Sequence, residues 1–131
     1  MKGVDTNILV RFLVGDDKAQ AKKVYAIFKK AEADRQTLFV PFVVVVELIW
    51  VLESVYQIAR TDIVDSVNAL LSMSILKFEH HMTLQQWVSA TQTNKHDLAD
   101  LLIVFCARDQ GCESVIIFDK KAATYDLFEL A

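Results

Sequence analysis

Short apolar segments alternate with longer segments of helical periodicity along most of this chain, and this alternation limits the possible folds more than any other feature. The segments predicted as strands are residues 1–4, 37–40, 75–78 and 115–118. Parallel strands need long crossover connections, and helices usually supply them. The sequence therefore predicts a three-layer α/β/α fold with a central parallel sheet and helices on both faces.

Apolar periodicity places helices between these strands. The clearest covers residues 18–33, where Val24, Ile27, Phe28 and Ala31 recur at helical spacing. Residues 43–55 are ambiguous, because their β-branched run favours a strand. The apolar pattern continues too long for a strand without a turn signal, so we predict a buried helix.

Residues typical of helix ends suggest the boundaries. Thr6 or Asn7 is the predicted cap of the first helix, and Thr61 caps a helix that reaches about residue 71. Thr83 and Gln86 form a predicted capping box. The last helix is predicted to start at Asp97 and run from residue 98 to about 109, with Gly111 just beyond its end.

Length and composition indicate one globular domain, residues 1–131, with 53% hydrophobic and 24% charged residues. Cys106 and Cys112 match neither a zinc site nor a disulfide framework. No signal peptide is evident, and the most apolar stretch is too short and too charged to span a bilayer. We therefore expect a cytoplasmic protein that does not enter membranes.

The net charge of −3 argues against a general nucleic-acid coat protein, which should be basic. Acidic residues nevertheless occupy informative positions. Asp5 follows the first strand and Asp119 the last, Asp97 and Asp100 lie in the first turn of a helix, and Glu47 lies inside an apolar helix. Strand ends and helix starts of this kind face one edge of a parallel sheet, so the acids are expected to converge there.

Clustered carboxylates repel one another unless a cation lies between them. Mg²⁺ or Mn²⁺ accepts such oxygen ligands, and one or two ions can activate water for phosphodiester cleavage. Each acid also has a simpler explanation. Asp5, Asp97 and Asp100 suit helix starts, Asp119 suits a turn, and a buried ion pair would account for Glu47.

Neighbouring polar residues have supporting roles in this interpretation. Thr6 and Asn7 start the helix that holds Asp5, and Asn7 would orient Asp5 or a water. Arg11 could reach a phosphate or an acid, although a solvated surface position is slightly favoured. Cations beside the acids could bring RNA phosphates towards the metal, although each is also compatible with a plain surface position: Lys95, His96, Lys120 and Lys121. Trp50 and Trp87 are expected in the core or in a dimer interface.

Four segments resemble, in order, the motifs of PIN-domain ribonucleases. They are Val4 to Leu13, Pro41 with Val46 to Leu52, Asp97 to Ile103, and Val115 to Asp119. The length and the first motif look most like the VapC-type toxins of bacterial toxin–antitoxin pairs. This resemblance implies an Mg²⁺- or Mn²⁺-dependent endoribonuclease, a homodimer, and inhibition by a small antitoxin.

By position, the resemblance assigns the metal-binding acids to Asp5, Glu47 and Asp100, the fourth acid to Asp119, and an accompanying acid to Asp97. Two positions depart from the pattern. Ile117 replaces a hydroxyl residue that is frequent in relatives, and Lys95 and His96 stand where many have glycine.

Two other functions compete with a nuclease. A catalytically silent PIN-like module could use the acidic pocket to bind a partner peptide, although all the acidic motif positions are filled. A phosphoacceptor domain of receiver type would need an Asp near the end of a central third strand, and that Asp is absent.

Overall fold

Three short strands, β1 (Lys2–Gly3), β2 (Leu38–Val40) and β3 (Leu76–Phe78), form a parallel sheet in the order β1-β2-β3. The structure is a computed structural model that describes residues 1–131, and the chain divides into two compact units, Met1–His81 and Met82–Ala131. This sheet belongs to the first unit. Its β1 strand is exposed rather than buried as predicted, and Val4 is the first core residue after it.

Four helices accompany this sheet: α1 (Thr6–Leu13), α2 (Lys18–Ala33), α3 (Phe42–Ser54) and α4 (Arg60–Leu71). The predicted helix at residues 43–55 is confirmed as α3, which buries Val45, Leu48 and Leu52 at helical spacing. Burial of that face outweighs the strand propensity of the β-branched run.

The starts of α1 and α4 differ from the prediction. Asp5, not Thr6 or Asn7, caps α1, because its carboxylate accepts a hydrogen bond from the Ile8 backbone N–H. The extended residue before α4 is Ala59, so the helix begins ahead of Thr61 without a side-chain cap. The residue at the cap position therefore lies one or two residues before the predicted cap in both helices.

The bounds predicted for α2 are confirmed, with Asp17 as its cap. Val24, Phe28 and Ala31 are buried as expected, but Ile27 is 45% exposed. Ile27 therefore lies at the edge of the apolar stripe instead of in the core.

The second unit contains most of α5 (His81–Thr91), then α6 (Leu98–Asp109), β4 (Val115–Ile117), a short 3-10 helix (Ala122–Thr124) and β5 (Phe128–Leu130). β4 and β5 form a two-stranded parallel sheet. The mixed α/β class with parallel strands is thus confirmed, but the strands form two sheets and β5 was not predicted. A single domain over residues 1–131 stays a prediction.

Two predicted helix boundaries in this unit have different outcomes. Asp97 caps α6, and Gly111 follows its end at φ +92°, a conformation that favours glycine. The capping box at Thr83 and Gln86 is wrong, because α5 already begins at His81 and Thr83 is buried within it. None of the helices combines the length and the hydropathy needed to cross a membrane.

Trp87 connects the core of the second unit to the start of α6. Its side chain is fully buried, and its indole Nε1–H donates to the Leu98 carbonyl at 2.9 Å. Leu98 directly follows Asp97, so this bond fixes the first turn of α6. Trp50, by contrast, is 62% exposed on α3 and is not a core residue.

We expect Trp87→Phe to destabilise the protein by about 2 kcal/mol, because it removes buried volume and leaves a carbonyl without its donor. Trp50→Phe is the matched control and should change the free energy of unfolding by less than about 0.5 kcal/mol. Urea denaturation measures both. Equal losses for the two variants would contradict the role assigned to the Trp87 hydrogen bond.

Candidate functional site

Asp5 lies at the junction of β1 and α1 with its side chain exposed. One carboxylate oxygen, Oδ1, accepts from the Ile8 backbone N–H at 3.2 Å. The other, Oδ2, has no donor within the protein. The capping interpretation and the ligand interpretation of Asp5 are therefore compatible, because each uses a different oxygen.

Glu47 is on the exposed face of α3, not buried in apolar surroundings as its sequence context suggested. The Thr6 hydroxyl donates to Glu47 Oε1 at 2.8 Å. No cation pairs with this carboxylate, so the buried ion pair considered above is wrong. Thr6 thus orients Glu47 and links the start of α1 to α3, and this pairing was not predicted.

Three acids of the second unit surround one cavity of about 500 Å³: Asp97, Asp100 and Asp119. Asp97 Oδ1 accepts from the N–H groups of Ala99 and Asp100, each at 3.0 Å. Asp119 Oδ1 accepts from the N–H groups of Lys121 and Ala122, at 2.8 and 3.2 Å. In both residues the Oδ2 oxygen has no partner within the protein.

The pKa of Asp100 reflects the negative charge of this cavity. Burial raises the pKa of its carboxyl, and the negative charges of Asp97 and Asp119 raise that pKa further, whereas His96 lowers it. The charged form of Asp100 is therefore disfavoured where it lies. A cation in the cavity would reverse this effect, because it attracts the same three carboxylates.

Basic and hydroxyl residues complete the cavity wall. Of the four candidate cations, Lys95, His96 and Lys121 line it, whereas Lys120 does not. Thr124 also lines it, on the 3-10 helix, and its hydroxyl donates to the Lys121 carbonyl at 2.7 Å. Sequence reasoning missed Thr124, because only the turn after Asp119 brings it to the cavity. A hydroxyl is thus present even though Ile117 supplies none.

Arg11 reaches an acid rather than an open surface. Its Nη1 lies 2.8 Å from Asp16 Oδ1, and its Nε donates to Gln20 Oε1 at 2.6 Å. The Tyr56 hydroxyl donates to the other oxygen of Asp16 at 2.8 Å. Arg11 and Asn7 also line a second cavity, of about 300 Å³, together with Asp5.

The donor chemistry suits a hard divalent cation, although no group of three or more His, Cys, Asp or Glu side chains lies close enough to hold a metal ion by itself. Mg²⁺ does not require such a cage, since it keeps several waters and shares its remaining positions with substrate phosphates. The Oδ2 oxygens of Asp97 and Asp119 are available for this coordination. Convergence of all five acids, with Asp5 and Glu47 included, stays a prediction.

Comparison with known proteins identifies the family of this chain. The chain is 26% identical over 121 residues to a VapC ribonuclease of Aquifex aeolicus (strain VF5), an alignment that covers 92% of this chain and 89% of that protein. The profile of the PIN domain matches residues 3–127. Because this match spans far more than half of the chain, the protein belongs to the PIN-domain family.

Proposed function

We propose that this protein is a metal-dependent endoribonuclease of the VapC type, the toxin of a toxin–antitoxin pair. The observation that carries the proposal is the group of three carboxylates around one cavity, of which Asp97 and Asp119 each keep one oxygen without a protein donor. Family membership and the name of the Aquifex aeolicus relative support the same chemistry. No structural feature favours a silent binding module.

The proposed ligands are Asp5, Glu47, Asp97, Asp100 and Asp119, which would hold one or two Mg²⁺ or Mn²⁺ ions. When bound, such an ion polarises the phosphodiester and lowers the pKa of water. The residues of the chain would orient these ligands. Backbone N–H groups hold one oxygen each of Asp5, Asp97 and Asp119, and the Thr6 hydroxyl holds Glu47. Lys95 and Lys121 would supply positive charge for substrate phosphates, and His96 lines the same cavity.

The wild-type protein is expected to cleave single-stranded RNA in Mg²⁺ or Mn²⁺ and to lose that activity in excess EDTA, because without a cation nothing activates water. Activity should return when Mg²⁺ is restored. Mapping 5′ ends after incubation with total RNA measures cleavage and identifies the target. RNA cleavage that persists in EDTA would contradict the metal requirement, and no cleavage in either metal would contradict the enzyme proposal.

The proposed partners are RNA, a small antitoxin protein and a second copy of this chain. The antitoxin and the homodimer rest on the VapC resemblance. Co-purification with the product of a small adjacent gene would identify the antitoxin. Sedimentation equilibrium of the pure protein tests the homodimer. A mass of twice 14.9 kDa would support it, and a mass near 14.9 kDa would contradict it.

A further inference from the structure

The cavity beside Asp5 is lined by cationic and apolar residues that have no role in the proposed metal site. It lies between α1 and α2 and has a volume of about 300 Å³. Cationic and polar groups line part of it, and an apolar wall lines the rest. The cations are Arg11 and Lys23, and the apolar residues are Ile8, Val24 and Ile27.

Arg11 is held in place before any ligand arrives. Its Nε and Nη1 donate to Gln20, Asp16 and Tyr56, and its Nη2 has no acceptor within the protein. A guanidinium fixed by neighbours loses little side-chain entropy when it binds an anion. Asp16 offsets part of its charge, and the Asp5 carboxylate also lines this cavity. Lys23, which is exposed and forms no ion pair, is the second cation that an anion would meet here.

α2 extends this positive charge beyond the cavity. It carries five lysines and a single acid, Glu32, in a chain whose net charge is −3. Lys30 follows Lys23 by seven residues, which places it on the same helix face about 10 Å further along the axis. Ile27 lies between them on that face and is 45% exposed. The face thus presents cation, apolar group and cation in sequence.

We propose that this face of α2, together with the cavity at Arg11, binds the backbone of single-stranded RNA beside Asp5. Lys23, Lys30 and Arg11 would contact phosphates, and Ile8 and Ile27 would contact a ribose or base. This inference deepens the proposed function and rests on it. An acidic peptide could match the cations too, but it needs no cavity next to a catalytic acid, so we favour RNA.

Lys23→Gln with Lys30→Gln tests the face directly. Lys22→Gln with Lys29→Gln is a matched control, because those lysines have the same spacing and charge but lie about 100° around the helix. Fluorescence anisotropy with a labelled single-stranded RNA in EDTA measures binding without cleavage. We expect the first pair to weaken binding about 10-fold and to reduce the salt-dependence slope by about 1.4, or 0.7 for each lost phosphate contact. The control pair should change binding less than about 3-fold.

Kinetics separate this inference from the proposed function. In Mg²⁺ the Lys23→Gln and Lys30→Gln variant should have a higher KM and a kcat within about 2-fold of the wild-type value. The reason is that the lost contacts stabilise the bound substrate and the transition state equally. Equal losses in both pairs, or none in either, would overturn the inference while wild-type cleavage still supports the nuclease. Weakened capture of a synthetic acidic peptide with unchanged RNA binding would assign the face to a protein ligand instead. A wild type that binds RNA but cleaves none would refute only the proposed function.

Discussion

Asp100→Asn is expected to lower RNA cleavage by at least about 100-fold and, in the absence of metal, to raise the melting temperature. The two effects share one cause. Burial and the charges of Asp97 and Asp119 raise the pKa of Asp100 because they disfavour its carboxylate. The uncharged amide removes that repulsion from the folded protein, and it also removes the negative charge that the cation needs.

The pH dependence of this stabilisation has a definite sign. In the folded protein the pKa of Asp100 lies above its ordinary value of 3.8, so the folded state holds this proton more tightly than the unfolded state. The contribution of Asp100 to stability therefore falls as pH rises through the interval between the two pKa values. The increase in melting temperature caused by Asp100→Asn should reach its full size above that interval and should disappear below it. Calorimetric scans in EDTA between pH 3 and 7 measure this.

Asp62→Asn is the control for this variant. Asp62 lies in the first turn of α4, as Asp100 does in α6, so both substitutions remove the same helix-dipole interaction and the same charge. The control should leave cleavage unchanged and should not raise the melting temperature. If Asp100→Asn cleaves RNA at the wild-type rate, Asp100 is not a ligand. If it fails to stabilise the metal-free protein, the repulsion among the three acids is not significant.

Asp5→Asn should also reduce cleavage about 100-fold or more, here with almost no change in stability. Asparagine caps a helix about as well as aspartate, so its amide oxygen can accept from the Ile8 N–H in place of Oδ1. The charge and the second carboxylate oxygen are lost. Loss of activity in a folded protein would therefore report on the ligand role alone.

Asp17→Asn is an internal control with the same chemistry. Asp17 caps α2 through an equivalent bond, in which its carboxylate accepts from the Gln20 N–H at 3.0 Å. Both variants should unfold at urea midpoints close to that of the wild type, and only Asp5→Asn should lose cleavage of a labelled RNA in Mg²⁺. Equal cleavage by the two variants would remove Asp5 from the proposed ligand set.

Helices with long periodic patterns could be predicted from the sequence. The caps of short helices and the strand β5 could not. The pattern of α2 extends over four turns and has an Asp directly before it, so its bounds follow from local information. Three possible caps, Asp5, Thr6 and Asn7, stand side by side at α1, and only the backbone conformation distinguishes them. β5 is three residues long and forms by pairing with β4, a distant contact that no local pattern encodes.

The candidate site shows the same division. Motif positions predicted the acids that line the cavity of about 500 Å³, since Asp97 and Asp119 lie where an element begins or ends. The sequence could not indicate that Glu47 is exposed, because an apolar helix has a solvent face that composition conceals. Nor could it place Thr124 at the cavity or distinguish Lys121 from Lys120, because a turn and a 3-10 helix set their positions.

Asp5, Asp97 and Asp119 are each fastened by backbone N–H groups no more than three residues away. Substitution is therefore constrained in two separate ways at each position. Asparagine or serine can accept the same backbone hydrogen bonds but carries no charge, whereas glutamate keeps the charge and is too long for those bonds. A PIN-domain relative with asparagine at one of these positions would fold normally and lack one of the proposed metal ligands. Correct folding of such a relative would therefore not show whether it can bind metal or cleave RNA.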